Sequence, residues 1–212
     1  MKAVIFDFDG TVANTLPILI YGLQTVFKEF DDKDYSKEEI KGMFGPPEPV
    51  VINNHLISSK REDAVKLYFD QYEKHHNRLV EKNEEMDDLL TTLKERGLKL
   101  GIVTGKSQRS LSISLEKLQL KHFFDVMITG DDVEKAKPAP EGILTALSKL
   151  NIKPEEAMYI GDSNDDIKAG TAANVSTAAA QWLPEYQNSD YTVQPAAVYQ
   201  QMSDLLDDLS QP

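Results

Sequence analysis

Two carboxylates, Asp7 and Asp9, close the apolar run Val4-Ile5-Phe6-Asp7-Phe8-Asp9-Gly10-Thr11. A carboxylate can act as a nucleophile and form an acyl-phosphate. A second carboxylate two residues on can protonate a leaving group and then take a proton from water. Asp9-Gly10 taken alone is ordinary turn chemistry. Asp7, inside the apolar run, fits that plain explanation less well. A parallel strand buried on both faces meets water only where the chain leaves the sheet, and that carboxyl end is where ligands sit in open α/β sheets. The turn at Gly10 is expected to re-aim Asp9.

Three further stretches have the same character. Thr104-Gly105 closes an apolar run and is followed by Lys106-Ser107 at a helix start. A hydroxyl and the N–H groups of a helix N-terminus can hold an anion, although for this stretch alone a plain turn and N-cap is the favoured explanation. Lys135-Ala136-Lys137-Pro138-Ala139-Pro140-Glu141 carries two prolines that restrict the backbone. Lys137 can therefore be held where it neutralises a carboxylate and a transferring phosphoryl group, with Lys135 as the competitor. Gly161-Asp162-Ser163-Asn164-Asp165-Asp166 crowds acids at a strand end, a pattern that suits a hard cation bound through oxygens. Asp162 is best placed as a direct ligand. Asp166, one helical turn on, can bind through water or orient Lys137, and Asp165 reads as a helix-start acid favoured by the dipole.

The elements that must position these groups follow from periodicity. Residues 2–8 read as a strand, and Leu16, Leu19, Leu23, Val26, Phe27 and Phe30 keep helical spacing. Ser36-Lys37-Glu38-Glu39 is a capping box. Gly42 to Pro49 reads as a rigid loop, in which Glu48 is either part of a lid or solvated, and helices are expected near 50–57 and 60–80. Residues 14 to about 80 thus look all-helical. Beyond them strands are expected at Leu98–Val103, Asp125–Thr129, Ala157–Ile160, Val175–Ala179 and Tyr191–Val193. Helices alternate with them over 84–96, 107–118, 140–150 and 165–173, and a terminal helix is expected over 196–209. This alternation argues for an α/β fold with a doubly wound parallel sheet. The expected organisation is an α/β core from 1–13 and 82–212, with an inserted all-helical cap over 14–81.

Composition narrows the partners. The chain has 212 residues, no cysteine and a net charge of −12. Thiolate chemistry is excluded, and a nucleic-acid partner held through phosphates is not expected. An anionic substrate needs local positive charge from a metal, a few lysines or backbone N–H groups. No stretch resembles a signal peptide or a membrane span, so the expected location is cytoplasmic. His55, His75, His76 and His122 form no His-x-x-x-His pair, and no histidine metal site is expected. Trp182, beside Pro184, is expected to pack under a loop, and Arg61 and Arg78 read as surface charges.

Taken together and in order, the four strand-end stretches resemble the haloacid dehalogenase-like hydrolase superfamily. Within it they are most similar to phosphoglycolate-phosphatase-like members with a helical cap after the first strand. Asp7-Phe8-Asp9-Gly10-Thr11 matches the first motif, Thr104 the second, Lys137-Pro138 the third, and Gly161-Asp162-Ser163-x-x-Asp166 the fourth. The resemblance implies a Rossmann-like core and Mg²⁺ held by Asp7, the Asp9 backbone carbonyl and Asp162, with Asp166 nearby. It implies Asp7 as nucleophile, Asp9 as acid and base, and Thr104 and Lys137 as catalytic partners. Phosphate would lie against Phe8, Gly10, Thr104, Gly105 and Lys137. The substrate expected is a small phosphorylated metabolite, and the protein a monomer or homodimer. The same parts suit a β-phosphoglucomutase-like phosphomutase or an inorganic pyrophosphatase. A phospho-aspartate signalling module is the non-enzymatic alternative, opposed by the position of the acidic pair on the first strand. The chain departs from the family at Asn14, often Asp, and at Gly105, often Asn.

Overall fold

The computed structural model describes residues 1–183 and 190–210. Its first strand, β1 (Ala3–Phe6), is buried along its whole length. A helical insert follows: α1 (Leu16–Asp31), α2 (Lys37–Lys41), α3 (Glu48–His55) and α4 (Arg61–Leu79). Alternating elements complete the chain: α5 (Glu84–Glu95), β2 (Lys99–Val103), α6 (Gln108–Leu118), β3 (Val126–Ile128), α7 (Glu141–Leu150), β4 (Ala157–Gly161), α8 (Asn164–Ala172), β5 (Ser176–Ala180), β6 (Ala197–Tyr199) and α9 (Met202–Asp208).

The six strands form one sheet in the order β3-β2-β1-β4-β5-β6, and every neighbouring pair is parallel. β1 lies between β2 and β4, where the strand order reverses direction. That reversal opens a crevice at the carboxyl ends of the strands, so Asp7 and Asp162 leave neighbouring strands at the crevice itself. Side chains alternate across the sheet, as the period of a strand requires. Val4, Phe6, Leu100, Ile102 and Ile160 join the core beneath α5, α6 and α9, whereas Ala3, Ile5, Val126, Ile128 and Tyr159 join the core beneath α7 and α8. The insert shares the first of these cores. α1 packs along α4, α4 lies against α6, and Tyr68 of α4 rests on Gly22 of α1, where an added Cβ would meet the ring at 2.7 Å.

Two elements differ from the sequence expectation. Residues 191–193 form no strand: Tyr191 is buried against Ile167 and Ala179, and the Asn164 side chain receives the Thr192 N–H and donates to the Asp190 carbonyl. Side-chain hydrogen bonds satisfy the backbone there, and the open edge of β5 is taken by β6 instead. The Ala196 N–H donates to the Thr177 carbonyl and the Gln181 N–H to the Tyr199 carbonyl. The terminal helix therefore begins at Met202 rather than near 196, with the Asp204 carboxylate accepting from the N–H groups of Gln200 and Gln201. A smaller shift brings the start of α3 to Glu48, because Pro49 is compatible with the first helical turn. Trp182 packs as expected and donates its indole N–H to the Thr11 carbonyl at 2.8 Å; Pro184 lies outside the described residues.

His76 sits fully buried where α4 meets α6, its Nε2 3.0 Å from the Ser114 hydroxyl. Burial, together with the charges of Lys106 and Lys117, lowers its pKa from 6.5 to about 4. The folded state therefore holds this ring neutral where the unfolded chain would protonate it. The associated stability is complete above the unfolded value and is lost as pH falls from about 6.5 toward 4, at up to about 1.4 kcal/mol per pH unit. In urea unfolding, the stability of the wild type relative to His76→Gln should fall between pH 7 and pH 5. A pH-independent difference contradicts the assignment.

Candidate active site

The rim at the carboxyl ends of β1, β2 and β4 forms a cleft of about 260 Å³. Its polar lining comprises Asp7, Asp9, Thr104, Gly105, Lys106, Lys137, Asp162, Ser163 and Asp165; Leu19, Leu23, Phe44, Gly45, Pro46, Glu48 and Val51 of the insert cover it. The structure thus brings together residues from all four strand-end stretches.

Lys137 is the hub of one side. Its Nζ lies 2.8 Å from Asp7 Oδ1, 2.5 Å from Asp166 Oδ1 and 3.2 Å from the Tyr159 hydroxyl. Asp166 is itself anchored: Oδ1 also lies 2.9 Å from the Tyr159 hydroxyl, and Oδ2 accepts from the Ser163 hydroxyl at 2.5 Å and its N–H at 3.0 Å. These bonds close a capping box at the start of α8, so the helix N-terminus and the lysine clamp are built from one carboxylate. Burial acts to raise the Asp166 pKa, but Lys137 and Ser163 outweigh it and hold the carboxyl below its ordinary value. Burial acts to lower Lys137, and Asp166 and Asp7 outweigh that, keeping the ammonium charged. Lys135 is exposed and lies outside this clamp.

Asp7 differs. Burial, with the negative charges of Asp166 and Asp9, pushes its carboxyl up to about 7 despite Lys137. Burial and the carboxylates of Asp166 and Asp7 likewise raise Asp162, whose Oδ1 accepts from the Thr11 hydroxyl at 3.2 Å. Carboxylate oxygens of Asp7, Asp162 and Asp166 lie within 4.8 Å of one another. Three acids against one lysine leave surplus negative charge in a buried place, and an all-oxygen cluster suits a hard divalent cation. The oxygens of Asp166 are already engaged by Lys137, Tyr159 and Ser163, which leaves Asp7 and Asp162 as the better direct ligands.

The turn after β1 separates the two acids of the first stretch. Gly10 adopts φ 88°, which a side chain would resist, and its N–H bonds the Ala13 carbonyl at 2.9 Å. The Phe8 carbonyl collects the N–H groups of Thr11, Val12 and Ala13. Asp9 is thereby turned away from the acid cluster toward Thr15 and Lys106: its Oδ1 accepts a short hydrogen bond from the Thr15 hydroxyl and lies 2.9 Å from Lys106 Nζ. Thr104 is buried, with its hydroxyl accepting the Lys106 N–H at 3.3 Å. The N–H groups of Phe8 and Gly105 make no backbone hydrogen bond among the described residues. The N–H of Gly10, by contrast, is occupied.

Two residues at the site were not singled out as such from the sequence. Thr15 is fully buried and orients Asp9 from the start of α1. Lys106 is buried at the start of α6, a place where the dipole disfavours a cation; that mismatch is the signal in the sequence. Glu48, read as either solvated or part of a lid, is not solvated: it is 5% exposed, lies among the insert residues over the cleft and faces Lys106 at 3.4 Å. Arg61 and Arg78 lie away from the cleft, over the Asn53 carbonyl and the Tyr21 ring.

A profile described as haloacid dehalogenase-like hydrolase matches residues 4–180, and the chain belongs to that family. Among its relatives, pyrophosphatase PpaX from Bacillus anthracis is 35% identical over 210 residues, covering 99% of this chain and 97% of the relative. The protein of the same name from Anoxybacillus flavithermus is 36% identical over 207 residues, with coverage of 97% and 95%. The crystal structure of a provisionally assigned phosphoglycolate phosphatase from Lactobacillus plantarum is 29% identical, with a TM-score of 0.80 over 98% of this chain and 99% of that one.

Proposed function

We propose that the protein is a Mg²⁺-dependent phosphatase acting on a small phosphorylated metabolite through an aspartyl-phosphate on Asp7. The observation that carries this reading is the convergence of Asp7, Lys137 and Asp162 on one covered crevice, with Asp9 held on its far side. Asp7 and Asp162, with the Asp9 backbone carbonyl, would hold the ion, whose charge would offset that of the transferring phosphoryl group. An Asp7 oxygen attacks phosphorus while the bond to the leaving oxygen breaks, and Asp9 supplies that oxygen with a proton. Water then attacks phosphorus, Asp9 takes its proton, and Asp7 and inorganic phosphate are released. Thr104 and the N–H of Gly105 hold phosphoryl oxygens, and Lys137 keeps Asp7 aimed. Such transfer depends on positioning and charge compensation. The insert α1–α4 acts as a cap that excludes bulk water from the cleft.

A second reading, hydrolysis of inorganic pyrophosphate, is supported by the relatives named as pyrophosphatases along nearly the whole chain. The same steps apply, with phosphate in place of the alcohol as leaving group. A screen of p-nitrophenyl phosphate, phosphoglycolate, pyrophosphate and hexose phosphates, with and without Mg²⁺, tests both. Phosphate release from at least one of them, abolished by EDTA, is expected. A phosphoryl-enzyme that accumulates without release contradicts both readings, and transfer to a second sugar hydroxyl points to a mutase.

A further inference from the structure

Lys106 has no place in the phosphoryl-transfer steps above, yet its side chain is 0% exposed and lies against the general acid. A buried ammonium is tolerated only when its charge is compensated. Lys106 Nζ has two carboxylate partners from different parts of the fold: Asp9 at 2.9 Å and Glu48 of α3 at 3.4 Å. The ring of Tyr72, on α4, lies 4.9 Å from the same nitrogen. The other oxygen of Glu48 accepts the Ser107 N–H at 3.0 Å, so the insert also satisfies an orphan donor at the start of α6.

The backbone shows that this contact is built rather than incidental. A Cβ on Gly105 would sit 2.5 Å from the Gly45 carbonyl oxygen, and one on Gly130 would sit 2.6 Å from Pro47 Cγ. The loop leading into α3 rests directly on core glycines. Gly105, the departure from the family pattern, leaves room for the Gly45 carbonyl of the insert where a side chain would stand.

We propose that Lys106 is a positioning residue that couples the seating of the insert to the aim of Asp9, with Glu48 as its partner across the seam. The inference rests on the phosphatase reading for its kinetic consequences but not for its structural ones. With Glu48 docked, Lys106 is held from both sides and fixes the Asp9 carboxylate beside Thr15. With Glu48 gone, the loop loses its anchor and Lys106 is left with Asp9 as its one carboxylate partner.

The test compares Lys106→Met, Glu48→Ala and the double variant, read by kcat and KM on the substrate found in the screen and by amide exchange at Ser107. Lys106→Met should lower kcat about 100-fold with KM within about threefold. Glu48→Ala should lower kcat and raise KM, each about tenfold, and speed Ser107 exchange at least about tenfold, because the N–H loses its acceptor. The double variant should lose no more kcat than Lys106→Met alone, since the groups act as a unit. Multiplicative losses, or a Ser107 exchange rate unchanged in Glu48→Ala, overturn the proposal. Should Lys106→Met not fold, Glu48→Gln decides: it keeps the acceptor for Ser107 but drops the charge facing Lys106, and kcat equal to wild type overturns the coupling. If the wild type turns over no phosphate compound, the phosphatase reading falls, and the exchange data still decide whether Glu48 seats the insert.

Discussion

Asp7→Asn is expected to remove turnover on the order of 10⁴-fold or more, with KM effects too small to explain it. The amide keeps the size of the side chain but has no lone pair basic enough to attack phosphorus and leaves no acyl-phosphate route. The fold should survive. Asp7 is one of three clustered acids, and burial already pushes its carboxyl up to about 7, so a neutral group at this place relieves repulsion from Asp166 and Asp9. Thermal unfolding in EDTA should show a midpoint at or above that of the wild type. Steady-state assays with p-nitrophenyl phosphate or pyrophosphate and Mg²⁺ check the activity. Residual turnover within tenfold of wild type would remove Asp7 from the nucleophile's role.

Lys137→Met should be the most damaging single change to stability at the site. It leaves Asp7 and Asp166 facing one another, at positions 6% and 1% exposed, without the ammonium that lies 2.8 Å and 2.5 Å from them. Breaking a buried pair from one side costs about 3–5 kcal/mol, which corresponds to a fall in Tm of roughly 10 °C for a chain of this size. Saturating Mg²⁺ should return part of that loss, because an ion bound only by the folded state stabilises it by mass action. Lys135→Met is the control: that lysine is exposed, and neither Tm nor activity should move. Equal effects at the two positions would mean that the clamp does not depend on Lys137.

The helical insert and the alternating remainder were legible in the sequence because periodicity reports local burial. The stretches at Asp7, Thr104 and Asp162 were legible because polar groups there close apolar runs, and the one at Lys137 because two prolines flank its lysine on one side. The C-terminal region was read less well. Tyr191-Thr192-Val193 has strand-like composition, yet the Thr192 N–H is taken by the side chain of Asn164, 28 positions away, and the Tyr191 carbonyl by that of Gln194. Ala197–Tyr199 has no alternation long enough to mark it, and becomes a strand because β5 presents an open edge. The pairing of Glu48 with Lys106 was hidden for a related reason. Each looks like an ordinary charged residue on its own helix end, and only the packing of the insert onto α6 turns them into a buried pair. Thr15 was overlooked because a threonine before Leu16-Pro17 reads as a plain helix start, whereas here its hydroxyl serves Asp9 instead of capping α1.

The proposed mechanism requires a covalent bond between Asp7 and phosphorus. Rapid quenching during turnover, followed by borohydride reduction and peptide mass spectrometry, reads that bond directly. The predicted result is conversion of Asp7 to homoserine, dependent on substrate and Mg²⁺ and absent in Asp7→Asn. Turnover that proceeds with Asp7 unmodified, or with the phosphoryl group on another residue, contradicts it.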